Sequence, residues 1–293
     1  MKKTIVIVGP TSVGKTRLSI ELSKIFNGEV INADSIQIYK ELNIGSAKIK
    51  DEEKENVVHH LLDIKDSNEE YTIYDFQKDG RKIIEKLYKK NKTPIVVGGS
   101  FLYIKSLLFD YKFDKEIKYD FSKFSNKQLF NKLMEIKPDL NVHINNRKRL
   151  ERYMNYYKNN GSLNESKIDN ILYECIFIGL TTDRSILYKR INDRVDIMFK
   201  EGLLKEVKNL YKIKDNRILR SAIGYKELYD YLDGKCTLEY SIEKIKQNSR
   251  NFAKRQYTFL NNKLNVKWFD VNFDNFNETI ENIKNYIINI NEF

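Results

Sequence analysis

Cysteine is scarce in this sequence, and long apolar runs are missing. The two cysteines, Cys175 and Cys236, lie far apart and match no metal-ligand spacing, which argues against a disulfide framework and against a zinc site. No apolar run approaches the ~20 residues that a membrane-spanning helix needs. The apolar run after Lys2 and Lys3 is too short for the core of a signal peptide. We therefore expect a cytoplasmic protein without membrane contact.

Internal repeats and low-complexity linkers are also absent, so the 293 residues suit one large domain or two unequal ones. Positive charge is in excess: 52 Lys and Arg residues against 41 Asp and Glu residues leave a net charge of +11. Such an excess favours a polyanionic partner, either nucleic acid or an anionic membrane surface. Because lysine, asparagine and isoleucine are abundant along the whole chain, charge alone does not establish that partner.

The first hundred residues alternate between strand and helix patterns. Short β-branched runs at 4–8, 29–33 and 94–97 are typical of strands buried on both faces of a parallel sheet. Apolar residues at helical spacing predict helices at 15–26 and 74–89. Strand, glycine turn, helix and strand in this order predict an α/β fold with a doubly wound parallel sheet.

The composition and the hydrophobic pattern change in residues 111–173, where Lys, Asn, Asp and Phe dominate and the only periodicity is that of a helix. We predict that this segment is a helical insertion domain in a core made of residues 1–110 and 174–293. The later core is predicted to contain a strand at 175–181, a long helical stretch from Asp183 through Tyr211, helices at 223–232 and 238–260, and a strand at 266–271.

The clearest motif follows the first predicted strand and opens the first predicted helix. It reads Gly9-Pro10-Thr11-Ser12-Val13-Gly14-Lys15-Thr16 and matches the P-loop pattern G-x-x-x-x-G-K-[ST]. Backbone N–H groups of such a loop converge on phosphate oxygens, and the helix N-terminus adds positive potential. Lys15 supplies a point charge, and the Thr16 hydroxyl can ligate Mg²⁺. The motif predicts a P-loop NTPase-like fold that binds a diphosphate or polyphosphate, without saying which.

Two further polar residues follow predicted strands. Asp34 comes after the second strand, and Ser100 follows Gly98-Gly99 after the third. Because residues past the carboxyl ends of parallel strands face the ligand crevice, both are expected near the phosphates. Asp34 is either a general base or magnesium ligand, or a capping residue; Ser100 either contacts a phosphate or caps the next helix.

The sequence resembles the tRNA dimethylallyltransferase (isopentenyltransferase) family over most of its length and in the family's order. The segments that carry the resemblance include the loop 9–16, Asp34-Ser35-x-Gln37-x-Tyr39, Val97-Gly98-Gly99-Ser100, Asn146-Arg147-Lys148-Arg149-Leu150-Glu151-Arg152, Arg190-Ile191 with Arg194-Val195-Asp196, Arg220-x-x-Ile223-Gly224-Tyr225, and Arg250-x-x-Ala253-Lys254-Arg255-Gln256.

The resemblance implies that the loop binds the diphosphate of dimethylallyl diphosphate. The family transfers the dimethylallyl group to N6 of the adenosine 3′ to the tRNA anticodon, position 37, and releases diphosphate. Lys15, Arg220 and Mg²⁺ held by Thr16 are then expected to stabilise the leaving group, while Asp34 accepts the amine proton. Ser100 stands where the family usually has threonine and keeps the hydroxyl.

The resemblance also implies a set of residues that contact the anticodon loop. They are Asp34, Ser35, Ile36, Gln37, Ser100, Lys118, Lys148, Arg149, Leu150, Glu151, Arg152, Arg220, Gly224, Tyr225, Arg250, Lys254 and Arg255. Basic residues at helical spacing grip phosphates while aromatic rings stack on bases. The alternative for each basic residue is a solvated helix face or an ion pair with Glu151 or Glu243. We expect a monomer.

Two other functions fit parts of the sequence. A P-loop kinase of a nucleotide or small molecule transfers phosphate from ATP and needs no RNA. A non-catalytic or ATP-switched RNA-binding protein shows salt-sensitive RNA affinity without alkylation. The ordered set of segments favours the prenyl transfer. His59 and His60 are expected to be structural, because adjacent histidines point in different directions.

Overall fold

A computed structural model describes residues 3–113, 117–161 and 170–290 of the chain. The chain divides into two compact units. The first, called the α/β unit below, comprises Met1–Phe109 and Ile171–Phe293. The second, called the helical unit, is Asp110–Asn170.

The α/β unit contains one six-stranded sheet in the order β3-β2-β4-β1-β5-β6. Every neighbouring pair of strands is parallel. The strands are β1 (Thr4–Val8), β2 (Gly28–Asn32), β3 (His59–His60), β4 (Thr93–Val97), β5 (Cys175–Thr181) and β6 (Lys267–Asp270). The predicted doubly wound parallel sheet is confirmed. β3 was missed, because two residues are too few for a periodic pattern.

Both faces of the sheet are covered, as the unbroken apolar strands predicted. Ile5 and Ile7 of β1 pack into a cluster with Leu18, Leu22 and Ile283. On the opposite face, Val6 and Val8 belong to a cluster that contains Phe76, Ile104 and Leu260. Successive residues of a strand point to opposite faces, so β1 contributes to both clusters and is buried along its whole length.

The described residues form the α-helices α1 (Lys15–Ile25), α2 (Ile73–Lys89), α3 (Phe101–Leu108), α4 (Asn126–Ile136), α5 (Arg147–Asn160), α6 (Arg184–Glu201), α7 (Leu203–Asn209), α8 (Arg217–Ser221), α9 (Tyr225–Leu232), α10 (Leu238–Lys263) and α11 (Phe276–Asn289). The stretch predicted from Asp183 through Tyr211 is helical but is divided into two α-helices. Gly202, with a φ of 105°, ends α6 and precedes α7, which is a common way for glycine to terminate a helix. No helix in the described ranges combines the length and apolar character that a bilayer-spanning segment requires.

The helical unit has a small apolar core of its own. Leu129 and Leu133 of α4 pack with Leu150 and Met154 of α5. Arg147 at the start of α5 donates to the carbonyl oxygens of Phe121 and Phe124 and pairs with Glu151 one turn later. These bonds fasten the segment before α4 to α5. Arg147 and Glu151 therefore stabilise the unit, and Leu150, which is fully buried, packs inside it.

Candidate active site

The loop between β1 and α1 carries the predicted phosphate-binding motif. Gly14 precedes α1 with a φ of 101°, a left-handed conformation that favours glycine, and a Cβ there would lie 2.7 Å from the ring of Phe276. Val13 is fully buried and anchors the loop in the core. The Ser12 hydroxyl is buried yet has no hydrogen-bond partner within the described structure. Since buried hydroxyls are normally satisfied, this group is available to a ligand oxygen.

The Lys15 side chain folds back onto the loop. Its Nζ donates to the carbonyl oxygens of Gly9 and Pro10 at 3.0 and 2.6 Å. Burial lowers the pKa of Lys15 to about 7; the charge of Arg194 also lowers it, and that of Asp34 raises it. A phosphate group beside Nζ would favour the charged form, because an opposite charge stabilises a cation. Lys15 is thus suited to bind an anion that enters the loop.

Two arginines of α6 face the same loop. Arg194 donates to the Thr11 hydroxyl at 3.1 Å and to the Ala47 carbonyl at 3.5 Å. Arg190, one turn earlier, donates from Nε to the Ser12 carbonyl at 3.1 Å, and its guanidinium carbon lies 3.8 Å from the centre of the Phe273 ring. Guanidinium groups are well suited to phosphate oxygens, so α6 adds positive charge to the site.

The segments that follow β2 and β4 are joined to each other beside the loop. Asp34 Oδ1 accepts a hydrogen bond from the Ile36 amide at 2.9 Å, which fixes the carboxylate in a turn. Ser100 Oγ accepts from the Ser35 amide at 3.1 Å. Gln37 donates to the Ser46 and Ala47 carbonyls at 3.0 and 3.3 Å. The structure therefore brings together Asp34, Ser35 and Ser100, as the strand order predicted.

Two cavities of the α/β unit share part of their lining. The first, of about 700 Å³ and called the phosphate cavity below, is lined by Lys15, Thr16, Asp34, Arg190 and Arg194 among others. The second, of about 640 Å³ and called the apolar cavity, has a lining that includes Ile36, Leu102, Ile191, Val195, Met198, Ile223, Phe252 and Phe259. Asp34, Thr11, Arg194 and Gln256 line both cavities. A carboxylate thus lies where a cationic cavity meets an apolar one.

Arg220 does not lie at the phosphate loop, where the resemblance predicted it. It is exposed on α8 and forms an ion pair with Asp215, which raises the pKa of Arg220. It is not among the residues that line either cavity. In the described structure the guanidinium groups at the phosphate loop belong to Arg194 and Arg190.

The predicted RNA-contacting residues after α8 have different environments. Gly224 lines the apolar cavity. Tyr225 is fully buried, and its hydroxyl donates to Glu206 at 2.6 Å. Glu206 also accepts from the amides of Asn43, Ile44 and Gly45 at 2.8–3.1 Å. Tyr225 is therefore a packing residue that supports the 43–45 turn, whereas Gly224 is accessible to a ligand.

The basic residues of α10 are spread around the helix. Arg255 lines the apolar cavity, and Lys254 is exposed. Arg250 is half-buried and donates to Asn192 of α6 at 2.6 Å. Arg250 therefore connects α10 to α6 and contributes to their packing, in addition to any contact with RNA.

In the helical unit, the predicted RNA-binding side chains Lys118, Lys148, Arg149 and Arg152 are exposed. The guanidinium carbons of Arg149 and Arg152 lie 5.6 and 5.4 Å from the centre of the Tyr153 ring. Two cations beside one aromatic ring form a surface that suits a phosphate backbone and its bases. From the same predicted set, Leu150 is buried in the core of the unit, and Glu151 is paired with Arg147.

Arg190, Arg194 and Gln256 lie at the site, although no role was predicted for them from the sequence. The two arginines are four residues apart on a helix, a spacing that places them on one face, and this spacing was the signal that could have identified them.

The described residues contain no group of three His, Cys, Asp or Glu side chains that could hold a metal ion. Thr16 and Asp34 line the phosphate cavity, so Mg²⁺ there would take oxygen ligands from Thr16, a diphosphate and water, which it prefers.

Comparisons with known proteins agree on one family. A family model described as IPP transferase matches residues 37–263. A tRNA dimethylallyltransferase of Anoxybacillus flavithermus is 44% identical, across 98% of this chain and 96% of that protein.

Solved structures agree with the sequence matches. The full-length tRNA isopentenylpyrophosphate transferase of Bacillus halodurans is 41% identical with a TM-score of 0.78, covering 99% of this chain and 96% of that one. A eukaryotic dimethylallyltransferase that acts on tRNA is 34% identical with a TM-score of 0.79, covering 92% of this chain and 74% of that one. This chain belongs to the IPP transferase family.

Proposed function

We propose that this protein transfers a dimethylallyl group from dimethylallyl diphosphate to tRNA, at N6 of the adenosine 3′ to the anticodon, position 37. Its relatives carry names that state dimethylallyl transfer and tRNA. The structural observation that carries the proposal is the position of Asp34. Its carboxylate lies where the phosphate cavity meets the apolar cavity, so a diphosphate and a prenyl chain can be bound on the two sides of one reaction centre.

The reaction is an alkyl transfer. The adenine N6 attacks C1 of the donor, the N6–C1 bond forms, and the bond from C1 to the diphosphate oxygen breaks. The proton released from N6 passes to the Asp34 carboxylate, a general-base step worth ~10²–10⁴-fold. The Asx turn to Ile36 holds the carboxylate in place for this transfer.

Charge that develops on the departing diphosphate is the main electrostatic problem of the reaction. Lys15 and Arg194 lie at the phosphate loop, and the Ser12 hydroxyl is available as a donor. Preorganised donors of this kind stabilise developing charge more effectively than water does. The Thr16 hydroxyl would be a ligand for Mg²⁺, which would supply further positive charge beside the leaving group. A role for Arg220 in stabilising the leaving group stays a prediction, because its guanidinium group must first break the ion pair with Asp215.

The acceptor adenosine is stacked in the anticodon loop before it reacts. Extruding it costs a few kcal/mol, and contacts to the surrounding backbone must offset that cost. The exposed cations of α5 and the residues that line the apolar cavity, Ser35, Ser100 and Gly224, are proposed to make these contacts. Single-stranded loops are the usual targets of sequence-specific RNA recognition.

Mass spectrometry of nucleosides tests the proposal against the kinase alternative. Unmodified tRNA is incubated with the protein, Mg²⁺ and dimethylallyl diphosphate, beside a parallel reaction with ATP. A dimethylallylated adenosine that appears only with the prenyl donor supports the proposal. ATP turnover without alkylated product contradicts it and supports a P-loop kinase or ATPase.

A further inference from the structure

The side chain of Gln256 connects two loops that follow neighbouring strands. Gln256 lies on α10 and is only 8% exposed. Its Oε1 accepts a hydrogen bond from the Thr11 amide at 3.1 Å, and its Nε2 donates to the Gly99 carbonyl at 3.2 Å. Thr11 belongs to the phosphate loop after β1, and Gly99 to the segment after β4. One buried amide therefore spans both loops.

The backbone pairing between these loops weakens where the strands end. The bond from the Gly98 amide to the Ile7 carbonyl measures 3.5 Å, which is long for a backbone hydrogen bond. Beyond that point the side chain of Gln256 continues the connection between β1 and β4. Gln256 thus joins the two loops beyond the last, long bond of the strand ladder.

From Gly99 the connection continues to Asp34. The Ser100 amide donates to the Ala33 carbonyl at 3.2 Å, and Ser100 Oγ accepts from the Ser35 amide at 3.1 Å. The phosphate loop, Gln256, the Gly99-Ser100 segment and the Asp34-Ser35 segment therefore form one chain of hydrogen bonds. Its two ends are the loop proposed to hold the diphosphate and the proposed base.

The space and polarity around Gly99 are matched to a glutamine at position 256. A Cβ at Gly99 would overlap Nε2 of Gln256, so a larger residue there would displace the Gln256 amide. The side chain must present an acceptor to Thr11 and a donor to Gly99, which an amide does and a carboxylate does not. Asparagine has both groups but is one methylene shorter.

We propose that Gln256 is a positioning residue for the transfer step, and this rests on the proposed function. It fixes the separation between the phosphate loop and Asp34, so that C1 of the donor and N6 of the acceptor meet in a reactive geometry. A displacement of about 1 Å between reacting groups can cost ~10²-fold in rate. Substrate affinity depends on each loop by itself and is affected little.

The first experiment compares Gln256→Met with Gln247→Met in the full-length protein. Gln247 lies on the same helix and is exposed, which makes it a matched control. For Gln256→Met we expect kcat to fall by about 10- to 100-fold, while the donor Kd and the tRNA KM stay near wild type. Unchanged kcat, or a loss confined to donor affinity, overturns the positioning role. If the melting temperature shows that Gln256→Met is unfolded, Gln256→Glu, which keeps the acceptor for Thr11, is measured for the same separation of kcat from KM.

A double-mutant cycle tests the contact with Gly99 directly. Gly99→Ala should lower kcat in the wild-type background, but it should have little further effect once Gln256→Ala has removed the overlapping amide. Additive effects of the two substitutions would overturn the proposal, because residues that act together are not additive. Absence of dimethylallyl transfer by the wild type contradicts the proposed function itself; wild-type transfer with full activity in Gln256→Met contradicts only the role of Gln256.

Discussion

Arg194 of α6 donates a hydrogen bond to the hydroxyl of Thr11 in the phosphate loop at 3.1 Å. Burial lowers the pKa of Arg194, yet a guanidinium keeps its charge in proteins. A half-buried, charged donor of this kind beside a phosphate-binding loop is placed to act on a leaving group.

Replacement of Arg194 should therefore slow the transfer step. We expect Arg194→Ala to lower kcat by ~10²–10³-fold, the usual effect of removing one preorganised donor from a site of developing charge. Arg194→Lys should recover part of the loss. Single-turnover rates at saturating donor and tRNA measure the effect, and a wild-type rate in Arg194→Ala would assign the residue to loop structure alone.

Lys15→Ala should weaken the binding of dimethylallyl diphosphate. Loss of a charge-assisted hydrogen bond to phosphate costs about 1.5–3 kcal/mol, which raises the donor Kd by about 10- to 100-fold. Lys15→Arg keeps the charge and should be milder. Calorimetric titration with dimethylallyl diphosphate measures the change. Equal donor affinities in the wild type and Lys15→Ala would refute the assignment.

Asp34→Asn should lower turnover with little effect on tRNA affinity, because the amide cannot accept the N6 proton. The expected loss in kcat is ~10²–10⁴-fold. Asp193→Asn is the control, since Asp193 is an exposed acid that lines the same phosphate cavity. Filter binding of tRNA accompanies the kinetics, and a collapse of tRNA binding in Asp34→Asn would show that the carboxylate serves recognition instead.

His59 should make the α/β unit less stable in mild acid. Burial lowers the pKa of His59, and its Nε2 has no hydrogen-bond partner within the described ranges. As pH falls through ~6.5, His59 binds a proton in the unfolded chain but not in the folded chain. The free energy of unfolding therefore decreases below that pH, by up to ~1.4 kcal/mol per pH unit.

Urea unfolding at pH 7.5 and 5.5 measures this effect. His59→Phe should reduce the difference in unfolding free energy between the two pH values, whereas replacement of the exposed His143 by Gln should leave it unchanged. A difference in His59→Phe as large as that of the wild type would exclude His59 as its source.

The exposed cations of α5 should contribute to tRNA affinity through phosphate contacts. Lys148→Ala combined with Arg149→Ala should weaken tRNA binding and leave the donor Kd unchanged. Each lost contact to single-stranded RNA lowers the slope of log affinity against log salt by about 0.7. Lys89→Ala, at an exposed position of α2, is the control. An unchanged salt slope in the double variant would make these cations a solvated helix face.

Features that depend on a local sequence pattern could be predicted from the sequence, whereas features that depend on tertiary contacts could not. The loop 9–16 was predictable because its chemistry lies in one short segment, and Asp34 and Ser100 because parallel strands end at one edge of a sheet. Arg194 and Gln256 meet Thr11 from 183 and 245 residues away along the chain. Such contacts depend on how α6 and α10 pack, which no local pattern records. The break at Gly202 had a local signal, the glycine itself.

The phosphate loop and Asp34 are proposed to serve a single alkyl transfer. This is tested by a rapid-quench, single-turnover reaction of labelled dimethylallyl diphosphate with unmodified tRNA, with diphosphate and alkylated adenosine measured in the same samples. Both products should form at the same rate in about equal amounts, and Asp34→Asn should slow the formation of both. Release of diphosphate without alkylated adenosine, or alkylation that is unaffected in Asp34→Asn, would contradict this proposal.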